Sequence, residues 1–136
     1  MRMDIAARSY LGTPFRHQGR NPSHGIDCIG LLVLAARACG LPQTDRDSTA
    51  YGRDPFDGLL ESHLAAAFGP AFPFAQAVPG DIAAIRFVGA IRHVGIVGDY
   101  PEGLSLIHTS GSTRFVTEHV IDRKWAKRIA GVYRVR

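Results

Sequence analysis

A cysteine at the predicted start of a helix is the feature of this sequence best suited to chemistry. Asp27 is a residue type favoured at the N-cap position, and Cys28 follows it directly. Helix-forming apolar residues then continue through positions 31–39 until Gly40 and Pro42 end the predicted helix. Unpaired backbone N–H groups and the helix dipole favour thiolate over thiol at such a position. The sequence therefore predicts that Cys28 is a nucleophile with a lowered pKa.

The second cysteine is predicted to be a packing residue. Cys39 lies at the far end of the same predicted helix, with no polar neighbour. Eleven positions at about 1.5 Å per residue place the two thiols roughly 16 Å apart, beyond disulfide reach. Two free thiols favour a protein made in a reducing cytoplasm over a disulfide-stapled secreted fold. A packing role is also common for a lone cysteine, and it stays open for Cys28.

Two histidines, His93 and His108, lie at the outer ends of a predicted β-hairpin with a four-residue loop between its strands. If Gly98 pairs with Gly103, the two histidines are directly opposite, with Cβ atoms about 5 Å apart. A slip by one residue would place them on opposite faces of the hairpin. Gly95 shares the face of His93, so a helix terminus could approach the sheet beside that histidine.

A metal site is the competing use of these side chains. A zinc ion could take its ligands from the cysteine and the histidines: Cys28, His93 and His108, or His17 and His24. The sequence contains no CxxC, HExxH or His-x3-His pattern, so no metal site is predicted. His63 and His119 have no companion in the pattern, and we expect both to be structural or solvated.

The composition is that of a compact globular domain, and we expect residues 1–136 to form a single domain. Hydrophobic residues make up 46% of the 136 residues and charged residues 21%. The net charge of +4 comes from scattered Lys and Arg, so a nucleic-acid interface is not predicted. No apolar stretch is long enough for a membrane span, and the N-terminus lacks the apolar region of a signal peptide.

Helical patterns come first along the chain and strand patterns follow. Helices are predicted over 4–11, 28–39 and 59–68, and strands over 82–87, 93–97, 104–108, 114–117 and 131–135. Residues 15–26 and 44–55 read as loops, and Val78–Asp81 as a turn. This segregation predicts an α+β fold in which the cysteine helix packs on an antiparallel β-sheet.

Five motifs, in this order and spacing, resemble a known family. They are Tyr10–Gly19, Asp27–Leu32, Pro79–Ile82, Arg92–Val97 and Ile107–Ser110. The sequence resembles the NlpC family of papain-like cell-wall cysteine peptidases from about Ala6 to Val135. It is most similar to single-domain members encoded in tail modules of phages and gene-transfer particles, in which the segment Arg128–Arg134 also occurs.

The resemblance implies a papain-like thiol peptidase without metal or organic cofactor. Such enzymes cleave D-γ-glutamyl–diamino acid bonds in peptidoglycan stem peptides. Cys28 would be the nucleophile, His93 the base and His108 the group that orients it. The Tyr10 hydroxyl and the Cys28 N–H would meet the oxyanion, and Asp27 would lie near the free amine of the stem peptide.

Partners, location and alternative functions follow from the same resemblance. The expected partners are peptidoglycan stem peptides and phage tail-tip proteins. The protein would be made in the cytoplasm, carried at a virion tail tip, and act in the periplasm or cell wall. Two alternatives stay open: an amidase or acyltransferase of the same fold, and a tail-assembly protein with latent activity.

Four positions depart from the family pattern. Ile29 and Arg92 replace serines that usually follow the cysteine and precede the base histidine. His17 and Gln18 replace a common tryptophan and glycine. These changes leave the three candidate catalytic side chains in place and alter the residues around them, so they bear on substrate choice.

Overall fold

Seven strands form the sheets in this computed structural model, which describes residues 1–42 and 59–135. They are β1 (Arg20–Asn21), β2 (Gly25–Ile26), β3 (Ile82–Phe87), β4 (Ala90–Tyr100), β5 (Gly103–His108), β6 (Thr117–Val120) and β7 (Ile129–Tyr133). The last five make one antiparallel sheet with the strand order β6-β5-β4-β3-β7, and β1 and β2 make a separate short hairpin. This architecture confirms the predicted α+β fold with its antiparallel sheet.

In the described part of the chain, four α-helices pack around this sheet: α1 (Met3–Arg8), α2 (Cys28–Ala38), α3 (Leu59–Phe68) and α4 (Arg123–Arg128). A short 3-10 helix covers Phe74–Gln76. The sequence predicted the first three helices, but α4 and the β1–β2 hairpin were missed. The predicted loop over 44–55 lies outside the described residues. No helix in the described ranges is long and apolar enough to cross a membrane.

The predicted strand over 114–117 is shifted towards the C-terminus, because the backbone before it is not extended. Arg114 has a positive φ of 68°, which interrupts a strand. The N–H of Val116 donates to the carbonyl of Thr13, so this segment bonds to the N-terminal loop. Regular pairing with β5 begins only at Thr117.

Alternation along the strands divides the core between the two faces of the sheet. On β3, Ile82 and Ala84 belong to the main core with residues of α1, α2 and α3. The intervening Ala83 and Ile85 belong to a smaller core on the other face, against which Trp125 of α4 packs. Successive strand side chains point to opposite faces, so one apolar strand serves both cores.

The ends of α2 are fixed as the sequence predicted. The carboxylate of Asp27 accepts a hydrogen bond of 2.8 Å from the N–H of Gly30 and caps the first turn. After the helix, Gly40 takes a positive φ of 71° that a side chain would disfavour. The N–H of Leu41 then donates to the carbonyl of Ala36 at 3.0 Å, which closes a Schellman motif.

The hairpin of β4 and β5 is longer than predicted. Its strands continue to the pair Tyr100 and Gly103, so the connection is a two-residue turn and the predicted register is wrong by two residues. Extending that register places His108 opposite Gly95, with His93 diagonal to it. A shift of two residues preserves the face of each side chain, so both histidines stay on the same side of the sheet.

A network of charges holds α1 against the sheet. Arg8 donates to Glu118 and Asp99, each at 2.8 Å. The side chain of Glu118 is only 4% exposed, and Asp4, which accepts from Arg2 at 2.7 Å, is fully buried. Removing one member of such a network leaves a buried charge without its partner, which is strongly destabilising.

Candidate active site

The thiol of Cys28 lies where the N-terminus of α2 meets β4. Cys28 is the first residue of α2 and is partly exposed. The backbone N–H groups of Cys28, Ile29 and Val94 hydrogen-bond to its sulfur and favour the thiolate. Val94 directly follows His93 on β4, so the start of α2 lies against the backbone next to the candidate base.

The pKa of Cys28 is the opposite of the predicted one. Burial of the sulfur, followed by the nearby negative charge of Asp27, raises the pKa of Cys28 to about 12. The N–H groups of the helix start lower it, as expected, but their effect is smaller. The predicted lowering considered only the helix terminus, whereas the folded protein adds the loss of water around the sulfur and the negative charge of the capping carboxylate.

Asp27 is buried and has several partners. One carboxylate oxygen accepts from the N–H of Gly30 and from Arg20 at 3.1 Å, and the other accepts from the N–H of Gln18 at 2.8 Å. Asp27 therefore links α2 to the loop before it. The N-cap role is confirmed, and the same contacts fix the position of Cys28, the next residue.

Three histidine rings form a continuous line of hydrogen bonds. The Nε2 atom of His93 lies 2.8 Å from Nδ1 of His108, and Nε2 of His108 lies 2.8 Å from Nε2 of His119. His119 in turn donates from Nδ1 to the carbonyl of Val120 at 2.9 Å. The structure thus brings the two predicted histidines into direct contact through Nε2 of His93, and adds a third.

His119 was not among the predicted site residues, and we had expected it to be structural or solvated. His119 pairs with Leu106 across β5 and β6, so it lies on the same face as His108, two residues away along the neighbouring strand. Placing the last strand at 117–120 would have revealed this, because residues with the same parity then share a face.

Burial keeps the two inner histidines neutral. His93 is 5% and His108 1% exposed. The loss of water lowers the pKa of His93 to about 4. The same cause, with repulsion from His93 and His119, lowers the pKa of His108 to about 3. At neutral pH, His93 therefore has an unprotonated nitrogen that can accept a proton.

An aromatic cover shields these rings from water. The ring of Trp125 in α4 lies 5.0 Å from the centroids of both His108 and His119. Phe87 lies 5.6 Å from His93, and the guanidinium of Arg128 packs over both Phe87 and Trp125. The sequence contains a single tryptophan, but no pattern placed it near the histidines.

Two irregularities of the sheet adjust the position of the histidines. The register between β3 and β4 shifts beside Arg92, an extra residue that forms a β-bulge next to His93 and donates to the Phe87 carbonyl at 3.0 Å. Gly95 leaves space for its cross-strand neighbours, because a Cβ there would lie 3.2 Å from the His108 Cβ. We had expected Gly95 to admit a helix terminus, but the nearest side-chain atoms belong to β5: Leu106 Cδ1, 2.6 Å from such a Cβ, and the Cβ of His108.

Tyr10 lies in the turn after α1. Its N–H donates to the carbonyl of Ala7, and the partly buried ring packs against the main core, as do Cys28 and Ile29. Tyr10 and Cys28 therefore pack against the same core cluster.

Within the two described ranges, no group of three or more His, Cys, Asp or Glu residues is arranged to hold a metal ion.

Comparison with protein families identifies the class of protein to which this site belongs. Residues 12–134 match the NlpC/P60 family, and the chain belongs to that family. The matched range contains Cys28, His93, His108 and His119. A comparison with proteins of curated function found no match.

Solved structures show the same fold. An NLP/P60-family protein described as similar to a lipoprotein, from Staphylococcus aureus, is 18% identical with a TM-score of 0.66, and 98% of this chain covers 40% of that one. The NlpC/p60 domain of the peptidoglycan hydrolase SagA is 22% identical with a TM-score of 0.65, at 96% and 94% coverage. An N-acetylmuramoyl-L-alanine amidase from Bacteroides uniformis is 14% identical with a TM-score of 0.58, at 96% and 95% coverage. The chain spans less than half the length of the Staphylococcus aureus protein.

Proposed function

We propose that this protein is a peptidoglycan hydrolase, a cysteine peptidase that cleaves D-γ-glutamyl–diamino acid bonds in stem peptides. The observation that carries the proposal is the hydrogen bond from the N–H of Val94, the residue after His93, to the sulfur of Cys28. The Nε2 atom of His93 is in turn held by Nδ1 of His108 at 2.8 Å. Membership of the NlpC/P60 family and the likeness to the SagA domain support the choice of a cell-wall substrate.

Acylation begins from a neutral thiol and a neutral imidazole. Because Nε2 of His93 is used in the bond to His108, Nδ1 is the nitrogen that takes the Cys28 proton. The raised pKa of Cys28 and the lowered pKa of His93 mean that this proton moves as the sulfur attacks the carbonyl carbon. The carbon–nitrogen bond then breaks, and the imidazolium returns the proton to the leaving amine.

Deacylation restores the thiol. His93 takes a proton from water, whose oxygen attacks the thioester carbonyl, and the carbon–sulfur bond breaks as the thiolate regains the proton. The N–H of Cys28 at the start of α2 and the Tyr10 hydroxyl are the proposed donors to the oxyanion of both tetrahedral intermediates. The His93 imidazolium is stabilised in each step by the His108 nitrogen that accepts its Nε2 proton.

Asp27 is the proposed binding group for the free amine of the stem peptide. Its carboxylate already accepts from two backbone N–H groups and from Arg20, which neutralises its charge in part. A carboxylate is a strong hydrogen-bond acceptor for an ammonium group, which supports this assignment. Since Asp27 precedes Cys28, an amine bound there places the neighbouring peptide carbonyl near the sulfur.

A place at a phage tail tip is the proposed location. It is supported by the resemblance of the segment Arg128–Arg134 to single-domain tail-module members. In the fold this segment consists of the last residue of α4, the whole of β7 and Arg134, which donates to Asp81 at 2.8 Å. Mass spectrometry of purified particles would detect the protein if it is carried there, and particles that lack it would contradict this location.

Product analysis tests the proposed reaction. Purified protein is incubated with peptidoglycan and with defined muropeptides, and the products are identified by mass spectrometry. We expect fragments that end in γ-D-glutamate and fragments that begin with the diamino acid. Release of intact stem peptides from the sugar would identify an amidase, and absence of any new fragment would leave the tail-assembly function.

A further inference from the structure

The three-histidine line ends at a group with only one possible role. A backbone carbonyl has no proton, so Val120 can only accept, and Nδ1 of His119 must be the donor in their 2.9 Å bond. In a neutral imidazole the second nitrogen is then unprotonated. The Nε2 atom of His119 is therefore an acceptor towards His108.

This assignment passes through the next two rings. His108 must donate from Nε2 to His119 at 2.8 Å, which leaves its Nδ1 as an acceptor. His93 must then donate from Nε2 to that atom at 2.8 Å, and its own Nδ1 is left unprotonated. When all three rings are neutral, one carbonyl thus decides their tautomers, since each ring then has one donor and one acceptor.

The surroundings make this arrangement costly to lose. His108 is 1% exposed, and Trp125 packs against both His108 and His119, so water has little access to the shared protons. A buried N–H without an acceptor has a large desolvation cost. Without the His119 acceptor, the tautomer of His108 that is protonated at Nδ1, the nitrogen facing His93, would therefore become more favourable.

We propose that His119 is a positioning residue, anchored by the Val120 carbonyl, that fixes the tautomers of the other two rings. Through this bond the unprotonated nitrogen of His93 is Nδ1, the atom that takes the Cys28 proton. The inference rests on the proposed function for its catalytic meaning, whereas the tautomers can be measured without turnover.

Nuclear magnetic resonance of histidine-labelled protein tests the tautomers directly. Two-bond and three-bond couplings between ring carbon protons and nitrogens distinguish Nδ1–H from Nε2–H forms. At neutral pH we expect Nε2–H for His93 and His108, and Nδ1–H for His119. Finding His108 or His93 in the Nδ1–H form would overturn the proposal even if the protein hydrolyses peptidoglycan. These tautomers in a protein without peptidase activity would leave the positioning bond intact and refute only the proposed function.

Two variants separate positioning from packing. His119→Gln keeps a carbonyl oxygen for the His108 proton, whereas His119→Leu fills similar space without an acceptor. We expect Leu to mix the His108 tautomers and lower kcat by about ten- to a hundredfold with KM unchanged, and Gln to retain the tautomer and most of kcat. Unchanged His108 tautomers in the folded Leu variant would refute the proposal. Equal losses of kcat in both variants, with KM rising, would point to packing and would also refute it.

Discussion

Acid should weaken the fold through its buried histidines, and the size of the effect follows from their pKa values. Burial lowers the pKa of His93 to about 4 and that of His108 to about 3, from an ordinary 6.5. At pH 5 both are neutral in the folded protein, whereas both are mostly protonated in the unfolded chain. The unfolded state binds more protons, so the free energy of unfolding falls as the pH drops below 6.5.

The expected loss is large for a domain of this size. At pH 5, about 1.5 units below the ordinary pKa, each histidine contributes a loss of about 2 kcal/mol, since one unit corresponds to about 1.4 kcal/mol. His93 and His108 together therefore lower the free energy of unfolding by about 4 kcal/mol between pH 8 and pH 5. Typical domains are stable by only about 5–15 kcal/mol.

Urea unfolding at a series of pH values measures this loss, with the fluorescence of Trp125 as the probe. His93→Gln should remove about half of the pH-dependent change, because one of the two buried rings is gone. His63→Gln, at an exposed position on α3, is the matched control and should leave the change intact. A total change below about 1 kcal/mol, or an equal change in the wild type and His93→Gln, would refute the reasoning.

Three further predictions concern the thiol, the middle ring and the α1 charge network. In a Cys39→Ala background, the rate of Cys28 alkylation by iodoacetamide should rise about tenfold per pH unit from pH 7 to pH 10, because the pKa of Cys28 lies near 12. Mass spectrometry gives the rates, and a rate that stops rising below pH 8 would contradict this prediction. His108→Gln, which can both accept and donate, should keep measurable turnover of a defined muropeptide, and His108→Leu should lose at least about a hundredfold more; equal rates would show that the side chain does not orient the base. Arg8→Met should lower the free energy of unfolding by about 3 kcal/mol, because it leaves Glu118 buried without its cation. In urea unfolding, the double variant Arg8→Met/Glu118→Gln should recover part of this loss. An unchanged loss would mean that the two side chains are not coupled.

The sequence was sufficient to predict the α2 end of the site. Local patterns fix this region, since Asp27 caps the helix and Gly40 ends it through short-range bonds. The side-chain contact between His93 and His108 was also predicted, although the two residues are not a directly opposed pair because the register was wrong by two residues. The side-chain period of a strand is two, so an even error leaves the histidines on the same face.

The rest of the site depends on long-range packing that no local pattern encodes. His119 comes beside His108 only because β6 pairs with β5 after an irregular segment at Arg114. Trp125 reaches the rings because α4 folds over the second face of the sheet. The pKa of Cys28 depends on burial in the folded chain, which outweighs the helix terminus that the sequence reveals.

The most direct test of the central claim compares single-cysteine variants on the same substrate. Turnover of a defined stem peptide is measured for the wild type, Cys28→Ala and Cys39→Ala, with circular dichroism to confirm that all three are folded. We expect Cys39→Ala to match the wild type and Cys28→Ala to be slower by several orders of magnitude, as when a covalent nucleophile is removed. Wild-type turnover by folded Cys28→Ala would contradict the assignment of this thiol as the nucleophile.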